Sequence, residues 1–394
     1  MERTALCDGI PALAGHRVGI TGDRRAEEQA ELLRRLGAEV VHGPVLRTLP
    51  LGDESVLRAA TDAVLADPPS VTILNTGIGL RAWIGAAETW GVADALVAAL
   101  AGGRVLARGP KAYAAAVQVG LRVWHQEPSE RLDLLVAGLS GELQGEHVAF
   151  QLHGDESPEI VAALEQAGAR VTPVAVYRWE PRSDEGPARR LVRETVDGQL
   201  SAVTFTSPSA VASACRIAEA DGSRREFVEA FRHRVVAACV GPVTRDAALE
   251  LGIAVACSPE LGRLGLLVRS LATTLRSQHL HLGAEGREYV VQGRLLMDGE
   301  RELSLADRER QVFNVLARRA GAVVARASIE QQVWKSTEED RALDAVLSRL
   351  RRHLAPTGLE VATRHRRGYQ LLAEPLPCPA LEPRDRPIPV ASAC

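Results

Sequence analysis

The first 280 residues of this 394-residue chain contain two copies of one sequence pattern. Residues 71–76 (VTILNT) align with residues 202–207 (AVTFTS), an offset of 131 positions. At the same offset, LGAEVVHGPVLRTLP at 36–50 aligns with AGARVTPVAVYRWEP at 167–181. With one residue of slippage, the stretch that begins GPKAY at 109 aligns with the stretch that begins GPVTR at 241. Three matches in the same order predict two homologous units.

Each unit alternates short apolar runs with helical patterns. HRVGIT at 16–21 and HVAFQL at 147–152 are typical of buried strands, and the residues that follow each run have a helical periodicity. Strands of this length separated by helices indicate parallel sheets with right-handed crossovers. The predicted class is therefore α/β, with two similar parallel-sheet domains. In such sheets, ligands bind beyond the carboxyl ends of the strands.

Small polar residues follow one apolar run in each unit. Asn75, Thr76 and Gly77 come after VTIL, and Thr206, Ser207 and Ser209 come after AVTF. One interpretation is that these residues cap the helices that follow. The other is that they bind a polar ligand, because a helix N-terminus favours an anion. Both interpretations remain open at the level of sequence.

Composition sets the broad class. The chain is 46% hydrophobic and 25% charged, and its length predicts two or three domains. It contains no apolar run long enough to span a membrane and no N-terminal secretory pattern. Its six cysteines are scattered without a Cys-x-x-Cys pair, so we expect no metal site and a reduced, cytoplasmic protein.

Residues 16–275 resemble the uroporphyrinogen-III synthase family. The resemblance is carried by LGAEVV (36–41), VYRWEP (176–181), TSPSAV (206–211) and GPVT (241–244), in this order. It implies two α/β domains joined by a two-stranded ladder, with the ligand in a cleft between them. The implied first domain comprises residues 16–38 and 178–275, and the implied second domain comprises residues 45–172.

The resemblance also implies a chemistry. The family closes hydroxymethylbilane, a linear tetrapyrrole with eight carboxylates, by inverting the last ring and losing water, and it needs no metal or organic cofactor. Tyr177 matches the position of the proposed acid, and a tyrosine is protonated at neutral pH. Thr206, Ser207, Gly241 and Thr244 would lie near the substrate. The alternative for Tyr177 is a core aromatic whose hydroxyl bonds to a carbonyl group.

Two turns depart from the family pattern. The chain has TGDR at 21–24 where the family usually has Thr-Arg-Pro, and NTGIG at 75–79 where the family has a motif like TSxN. Glycines replace side-chain donors, although backbone N–H groups can still bind an anion. Four arginines either contact carboxylates or lie on solvated helix faces: Arg24, Arg25, Arg81 and Arg108.

The last hundred residues have a different pattern. Ser304 with Asp307 is typical of a helix start, and Leu343, Leu347, Leu350 and Leu354 form one apolar helix stripe. GLEVATRHRRGYQLL at 358–372 reads as a hairpin with a basic tip. Residues 288–373 resemble the winged helix–turn–helix domain of OmpR/PhoB-type response regulators, an α+β fold. We expect a linker at 276–287 and a Pro-rich disordered tail at 374–394.

Positive charge is concentrated in this part. Residues 341–367 hold seven arginines and two acidic residues, a balance of +5, whereas the whole chain carries −3. The resemblance implies that Ser348 and Arg349 reach base edges. The remaining candidates for DNA contact are Arg341, Arg351 and Arg352 on the helix and Arg364, Arg366 and Arg367 on the wing. The alternative is a solvated arginine-rich helix.

These features together predict a DNA-binding transcriptional regulator whose synthase-like module binds a small tetrapyrrole-like anion. The acidic pair and central aspartate of a receiver domain are absent from the first 280 residues. The expected partners are double-stranded DNA, the anionic ligand and a second copy of the chain. The alternatives are an active or bifunctional uroporphyrinogen-III synthase, or a degenerate module kept for dimerisation.

Overall fold

The computed structural model describes residues 10–50, 54–139, 141–152, 154, 157–180, 183–299, 301–334 and 342–377. The strands are β1 Arg17–Ile20, β2 Glu39–His42, β3 Arg47–Pro50, β4 Val71–Leu74, β5 Arg104–Ala107, β6 Val123–Gln126, β7 His147–Gln151, β8 Arg170–Val174, β9 Tyr177–Glu180, β10 Ala202–Phe205, β11 Val236–Cys239, β12 Val255–Cys257, β13 Leu280–Ala284, β14 Arg287–Gln292, β15 Leu295–Met297, β16 Glu302–Ser304, β17 Val361–Arg364, β18 Gly368–Leu371 and β19 Glu374–Leu376. The α-helices are α1 Ala26–Arg35, α2 Ser55–Ala66, α3 Gly77–Thr89, α4 Ala93–Ala101, α5 Pro110–Gln118, α6 Leu132–Ala137, α7 Pro158–Gln166, α8 Gly186–Val196, α9 Pro208–Ala220, α10 Arg224–His233, α11 Pro242–Glu250, α12 Leu264–Arg276, α13 Asp307–Ala317, α14 Arg326–Val333 and α15 Ala342–Leu354.

The chain divides into two compact units, and the second comprises Pro44–Glu185. Its core is a parallel sheet in the order β6-β5-β4-β7-β8. Because side chains alternate along a strand, Val71 and Ile73 of β4 pack with α6 and α7, whereas Leu74 packs with α2 to α5. An antiparallel pair, β3 and β9, also lies in this unit. Strand β9 therefore falls in the second unit, whereas the sequence prediction starts the returning segment of the first domain at residue 178.

The first unit comprises Met1–Gly43 and Gly186–Cys394. It contains a parallel sheet in the order β12-β11-β10-β1-β2, which we call the first lobe together with helices α1 and α8 to α12. Val18 and Ile20 pack with α1 and α12 on one face. On the other face, the rings of Phe205 and Phe231 lie 6.0 Å apart. The lobe is thus a parallel sheet covered on both faces.

The strand order confirms the duplication predicted from sequence. Strands β12, β11, β10, β1 and β2 of the first lobe occupy the positions of β6, β5, β4, β7 and β8 in the second unit. The register agrees as well, since Val18 pairs with Ala202 and Val148 pairs with Val71. Two similar α/β domains are therefore present in this chain.

The rest of the first unit is the winged-helix domain. An antiparallel sheet in the order β16-β15-β14-β13-β19 packs with helices α13 to α15, and β17 and β18 form the wing hairpin. The predicted stripe of leucines on α15 is confirmed, because all four of these side chains are buried. The α+β winged-helix class is therefore also as predicted.

The joining segment differs from its prediction. Helix α12 ends at Arg276 and β13 begins at Leu280, so residues 280–284 of the predicted linker 276–287 form a strand. Glu285 and Gly286 adopt φ values of +50° and +75° and make the tight turn into β14, a hairpin signal that the sequence interpretation did not use. Residues 374–376 form β19 against β13, so the predicted tail does not begin at 374. Residues 378–394 lie outside the described residues.

The start of α13 also differs from its prediction. Ser304 ends β16 and is exposed, and the helix begins after Ala306. Glu309 accepts a hydrogen bond from the Ala306 backbone N–H, with N and Oε2 3.4 Å apart. Alanine offers no side-chain acceptor, so only one half of a capping box is present.

The winged-helix domain packs directly against the first lobe. Gln292 Nε2 donates hydrogen bonds to the carbonyl oxygens of Pro11 and Ala14, at 2.9 and 3.0 Å. Gln311 Nε2 on α13 donates to the carbonyl oxygen of Asp197 at 2.7 Å. The winged-helix domain therefore contacts the lobe through its sheet and through its first helix.

Candidate functional sites

A buried glutamine joins the carboxyl ends of β4 and β7 in the second unit. The side chain of Gln151 is fully buried, and its Oε1 accepts hydrogen bonds from the backbone N–H groups of Asn75 and Thr76, both at 3.1 Å. The Thr76 hydroxyl accepts from Gln151 Nε2 and from the Gly79 N–H, each at 3.1 Å. Thr76 is therefore the cap of α3, and two N–H groups at this turn are used within the protein.

Two glycines at this turn are required by packing. A Cβ on Gly77 would lie 2.2 Å from the carbonyl oxygen of Lys111, and a Cβ on Gly79 would lie 1.4 Å from Gln151 Nε2. The Lys111 carbonyl group is backbone and leaves no room for a larger residue, and the Gln151 amide would have to leave its hydrogen bonds. The glycines that depart from the family pattern thus have a local structural cause, and ligand binding by Gly77 stays a prediction.

A half-buried arginine and a buried tyrosine lie beside this network. Arg108 follows β5 and donates from Nη1 to Asn75 Oδ1 at 3.0 Å and from Nε to the carbonyl oxygen of Glu130 at 2.9 Å. The Tyr177 hydroxyl lies 3.4 Å from Thr76 Oγ1, and the ring packs in the core beside Trp179. The structure therefore brings Asn75, Thr76 and Tyr177 together, with Arg108 added to the set.

The first lobe has a similar polar edge built from hydroxyls. Ser207 caps α9, since its Oγ accepts from the Ala210 N–H at 3.2 Å, and it lies 2.9 Å from Ser209 Oγ. Thr206 is half-buried, and Gly241 and Thr244 start α11 after the neighbouring strand β11. The predicted candidates of this lobe therefore share one sheet edge. Helix capping is sufficient to explain a serine at position 207.

Helix α15 presents polar side chains away from its leucine stripe. Ser348, Arg349, Arg351 and Arg352 are exposed. Arg351 donates to the Val361 carbonyl oxygen at 2.8 Å and to Thr363 Oγ1 at 2.7 Å, which ties the helix to the wing. Arg341 lies outside the described residues. A basic helix surface beside a hairpin matches the geometry of a winged-helix DNA contact.

Arg349 is the arginine of α15 that approaches a buried carboxylate. Its Nε lies 3.7 Å from Glu309 Oε1 on α13, and Glu309 Oε2 lies 2.8 Å from His353 Nδ1. Glu309 was not singled out from the sequence. Its only signal there was an acidic residue in the first turn of a helix, and that pattern does not reveal a partner on another helix.

The wing carries exposed positive charge at its tip. Arg364, Arg366 and Arg367 are exposed, and Arg366 adopts a φ of +58°. Gly368 adopts a φ of +127°, and a Cβ there would lie 2.0 Å from the carbonyl oxygen of Val324. The wing therefore needs glycine at this position to pack beside the segment that precedes α14.

Other kinds of site receive no support from the described residues. Within them, no group of three or more His, Cys, Asp or Glu side chains could hold a metal ion, and no helix is long and apolar enough to cross a membrane. Burial raises the pKa of the Cys239 thiol to about 12 and also raises the pKa values of Cys215 and Cys257. These thiols are poor nucleophiles in the folded protein.

The fold and its two kinds of surface define a class of protein: a DNA-binding transcriptional regulator built on a tetrapyrrole-synthase type of module. Residues 27–268 match the model of the uroporphyrinogen-III synthase HemD family, and residues 300–371 match the model of the transcriptional regulatory protein C-terminal domain. The chain belongs to the uroporphyrinogen-III synthase HemD family and carries a fused DNA-binding domain.

Individual relatives match the same part of the chain. The uncharacterized protein YjjA of Bacillus subtilis is 31% identical over 264 residues, which cover 66% of this chain and 96% of the relative. A mutant uroporphyrinogen III synthase of Thermus thermophilus is 28% identical, and the match covers 67% of this chain and 100% of that one, with a TM-score of 0.56. Both likenesses span nearly the whole relative but about two-thirds of this chain, so this chain has a further part that these two relatives lack.

Proposed function

We propose that this regulator binds a small anionic, tetrapyrrole-like ligand in its synthase-type module and that ligand binding changes its grip on double-stranded DNA. The observation that carries the proposal is the direct packing of the winged-helix domain on the first lobe. Three residues, 277–279, separate α12 from β13, and side chains of α13 bond to the turn at Asp197 and Gly198. A change in the lobe would therefore reach the DNA-binding domain without a flexible tether.

The ligand class is supported by the chemistry of the two polar edges. The first lobe has hydroxyls at the half-buried Thr206 and Ser209 and at the buried Thr244. The second unit has the buried Tyr177 and the half-buried Arg108. Hydroxyl and guanidinium donors bind carboxylates, and the family's substrate carries several. Asn75, Thr76, Gly77, Ser207 and Gly241 complete the set of proposed ligand-binding positions.

DNA recognition is proposed for the polar surface of α15 and for the wing. Ser348 and Arg349 would contact base edges, and Arg351, Arg352 and the wing arginines would contact phosphates, which fix position and carry the salt dependence. The pairing of two copies on one operator is the expected arrangement. A ligand shifts such a system only if it binds the two states with different affinity.

The test uses the full-length chain. A fragment from the promoter of its own gene and a random duplex of equal length are titrated with protein, with and without hydroxymethylbilane or uroporphyrinogen III. We expect preference for the promoter fragment and a change in its affinity when the tetrapyrrole is present. Equal affinity for both duplexes would contradict the proposal that the protein is a regulator. An affinity for the promoter fragment that does not change with tetrapyrrole would contradict the proposed control by ligand.

A second candidate is catalysis of hydroxymethylbilane cyclisation by the same module. It is favoured by one observation, the Tyr177 hydroxyl held 3.4 Å from Thr76 Oγ1 at the polar edge of the second unit. Cyclisation activity in the wild type that falls in Tyr177→Phe and persists in Tyr113→Phe would support the enzyme. Tyr113 is an exposed tyrosine on α5 and serves as the matched control. An inactive wild type would exclude this candidate.

A further inference from the structure

Comparison of equivalent positions in the two halves shows which residues both halves share and which only one half contains. After β5 the chain reads Arg108-Gly109-Pro110, and after the equivalent strand β11 it reads Val240-Gly241-Pro242. Gly109 and Gly241 are both the residues before a helix that starts with proline. The glycine and proline are thus common to both halves, whereas a valine replaces the arginine. The turn itself does not need Arg108.

Arg108 is nevertheless held in one orientation. Its Nε donates to the Glu130 carbonyl oxygen and its Nη1 donates to Asn75 Oδ1. Asn75 is fixed in turn, because its backbone N–H donates to the buried side chain of Gln151. Within the described residues, Nη2 of Arg108 has no hydrogen-bond partner. Two acceptors therefore orient the guanidinium and leave one edge of it free.

The surroundings of Arg108 make its positive charge unfavourable for the stability of the fold. Burial lowers the pKa of Arg108, while Glu130, Tyr177 and Asp133 act on it in the opposite direction from a distance. Asp133 pairs with Arg131 instead, and no ion pair to Arg108 occurs in the described part of the chain. A desolvated charge without an opposite charge beside it is unfavourable even when it is hydrogen-bonded, and the equivalent valine would avoid that cost. A costly, oriented arginine that the fold does not need is typical of a binding residue.

We propose that Arg108 is the carboxylate-binding residue of the second unit, with its free Nη2 edge facing one carboxylate of the ligand and the Tyr177 hydroxyl as a neighbouring donor. Guanidinium pairs with carboxylate through parallel N–H···O bonds, so an arginine fixed by Asn75 and Glu130 selects an anion by position as well as by charge. This inference rests on the proposed ligand-binding function and names the chemistry of its second-unit contact.

The experiment compares three variants of the full-length chain: Arg108→Gln, Arg108→Lys and Arg81→Gln. Arg81 is exposed on α3 and its side chain has no hydrogen-bond partner among the described residues, which fits the solvated-helix alternative of its prediction, so it provides the matched control. Uroporphyrin III, which carries eight carboxylates, is titrated by its fluorescence. We expect Arg108→Gln to weaken binding about tenfold or more, which is the usual scale for a hydrogen bond to a charged group. Arg108→Lys should recover part of the loss, and Arg81→Gln should bind as the wild type does.

A second measurement uses a small probe that needs no tetrapyrrole pocket. The thermal midpoint is followed in citrate and in chloride at equal ionic strength. Citrate should stabilise the wild type and Arg81→Gln more than it stabilises Arg108→Gln. Circular dichroism shows whether Arg108→Gln is folded. If it is not, uroporphyrin binding and the citrate-dependent shift of the thermal midpoint are compared between Arg108→Lys and the wild type.

The outcomes separate this inference from the proposed function. Equal binding of uroporphyrin by Arg108→Gln and Arg81→Gln overturns the role of Arg108, even where DNA affinity still responds to ligand. Weaker binding by Arg108→Gln supports it, even where DNA affinity never changes and ligand control of DNA binding fails. A wild type that binds neither uroporphyrin nor citrate overturns it as well.

Discussion

Arg310, in the first helix of the winged-helix domain, donates a hydrogen bond from Nη2 to the backbone carbonyl oxygen of Gly198 in the first lobe. The arginine is buried, and burial lowers its pKa to about 10. Gln311, the next residue, bonds to Asp197 in the same turn. The turn precedes β10, whose carboxyl end leads to Thr206 and Ser207. One strand of the lobe therefore connects the polar edge with the contact to the DNA-binding domain.

Replacing Gln311 by alanine should loosen this contact. The Gln311 amide makes hydrogen bonds to the carbonyl oxygens of Asp197 and Gly198, and such bonds contribute about 1 kcal/mol each. We expect the free energy of unfolding to fall by about 1–2 kcal/mol, and amide hydrogen exchange of α13 to accelerate. Gln331→Ala, at an exposed position on α14, is the control. Identical exchange in both variants would show that the contact is not maintained in solution.

Acid should destabilise the first unit through two stacked histidines. The rings of His16 and His279 lie 5.8 Å apart, and burial lowers their pKa values to about 3 and about 4. His279 and Arg310 lower the pKa of His16 further, and His281 and Arg276 lower that of His279. Both rings are therefore neutral in the folded protein, whereas the unfolded chain takes up protons near pH 6.5.

The sign follows from linkage. Stability is present above pH 6.5 and is lost as the pH falls toward the lowered pKa values, by about 2 kcal/mol for each histidine at pH 5. Urea unfolding at pH 7 and pH 5 measures the difference. His279→Gln should show a smaller decrease than the wild type, and His365→Gln at the exposed wing tip should follow the wild type. A pH-independent midpoint would contradict the neutral pair.

Two arginines of α15 should behave differently toward DNA. Arg349→Ala is expected to reduce the preference for the cognate fragment over random duplex, because a base-edge contact contributes about 1–3 kcal/mol of discrimination. Arg351→Ala should weaken every duplex alike, reduce the salt slope by about 1, and lower stability, because it also frees the wing from α15. Arg225→Ala, an exposed position on α10, is the control. Matching losses from both α15 variants would reject these roles.

A pair of glycines in α3 tests the packing at the polar edge. Gly79→Ala places a methyl group where Gln151 Nε2 lies, so the Gln151 network must move, and we expect a loss of about 1–3 kcal/mol. Gly85→Ala lies in the same helix with nothing within 4 Å of the added carbon. It should be neutral or stabilising by up to about 1 kcal/mol, from helix propensity alone. Thermal or urea unfolding gives both values, and similar effects would contradict the steric account.

The presence of two similar parallel-sheet domains could be predicted from sequence because the duplication repeats strand residues at a fixed offset. Matching VTIL with AVTF also determined which turns lie at corresponding edges. The leucine stripe of α15 and the basic hairpin could be predicted for a different reason. Periodicity reports which face of an element is buried.

The contacts between elements could not be predicted in this way. Gln151 is distant in sequence from Asn75, and only the pairing of β7 with β4 brings them together. The strand at 280–284 was missed because the stretch was interpreted as a linker, although Leu280, Leu282 and Ala284 alternate with other residues and Glu285 and Gly286 mark a turn. Long-range register decides the Gln151 contact, and a single sequence does not report it, whereas the hairpin at 280–292 is local.

The fifth strand of the winged-helix sheet has a practical consequence for anyone who dissects this chain. The family match of that part covers residues 300–371, but its sheet runs from β13 at Leu280 to β19 at Leu376. A fragment cut at the matched residues would lose four of the five strands and keep β16 alone, and the apolar faces of its helices would be exposed to water. Unpaired strand edges pair with other chains, so such a fragment is expected to aggregate, whereas one spanning 277–377 retains all five strands of this sheet.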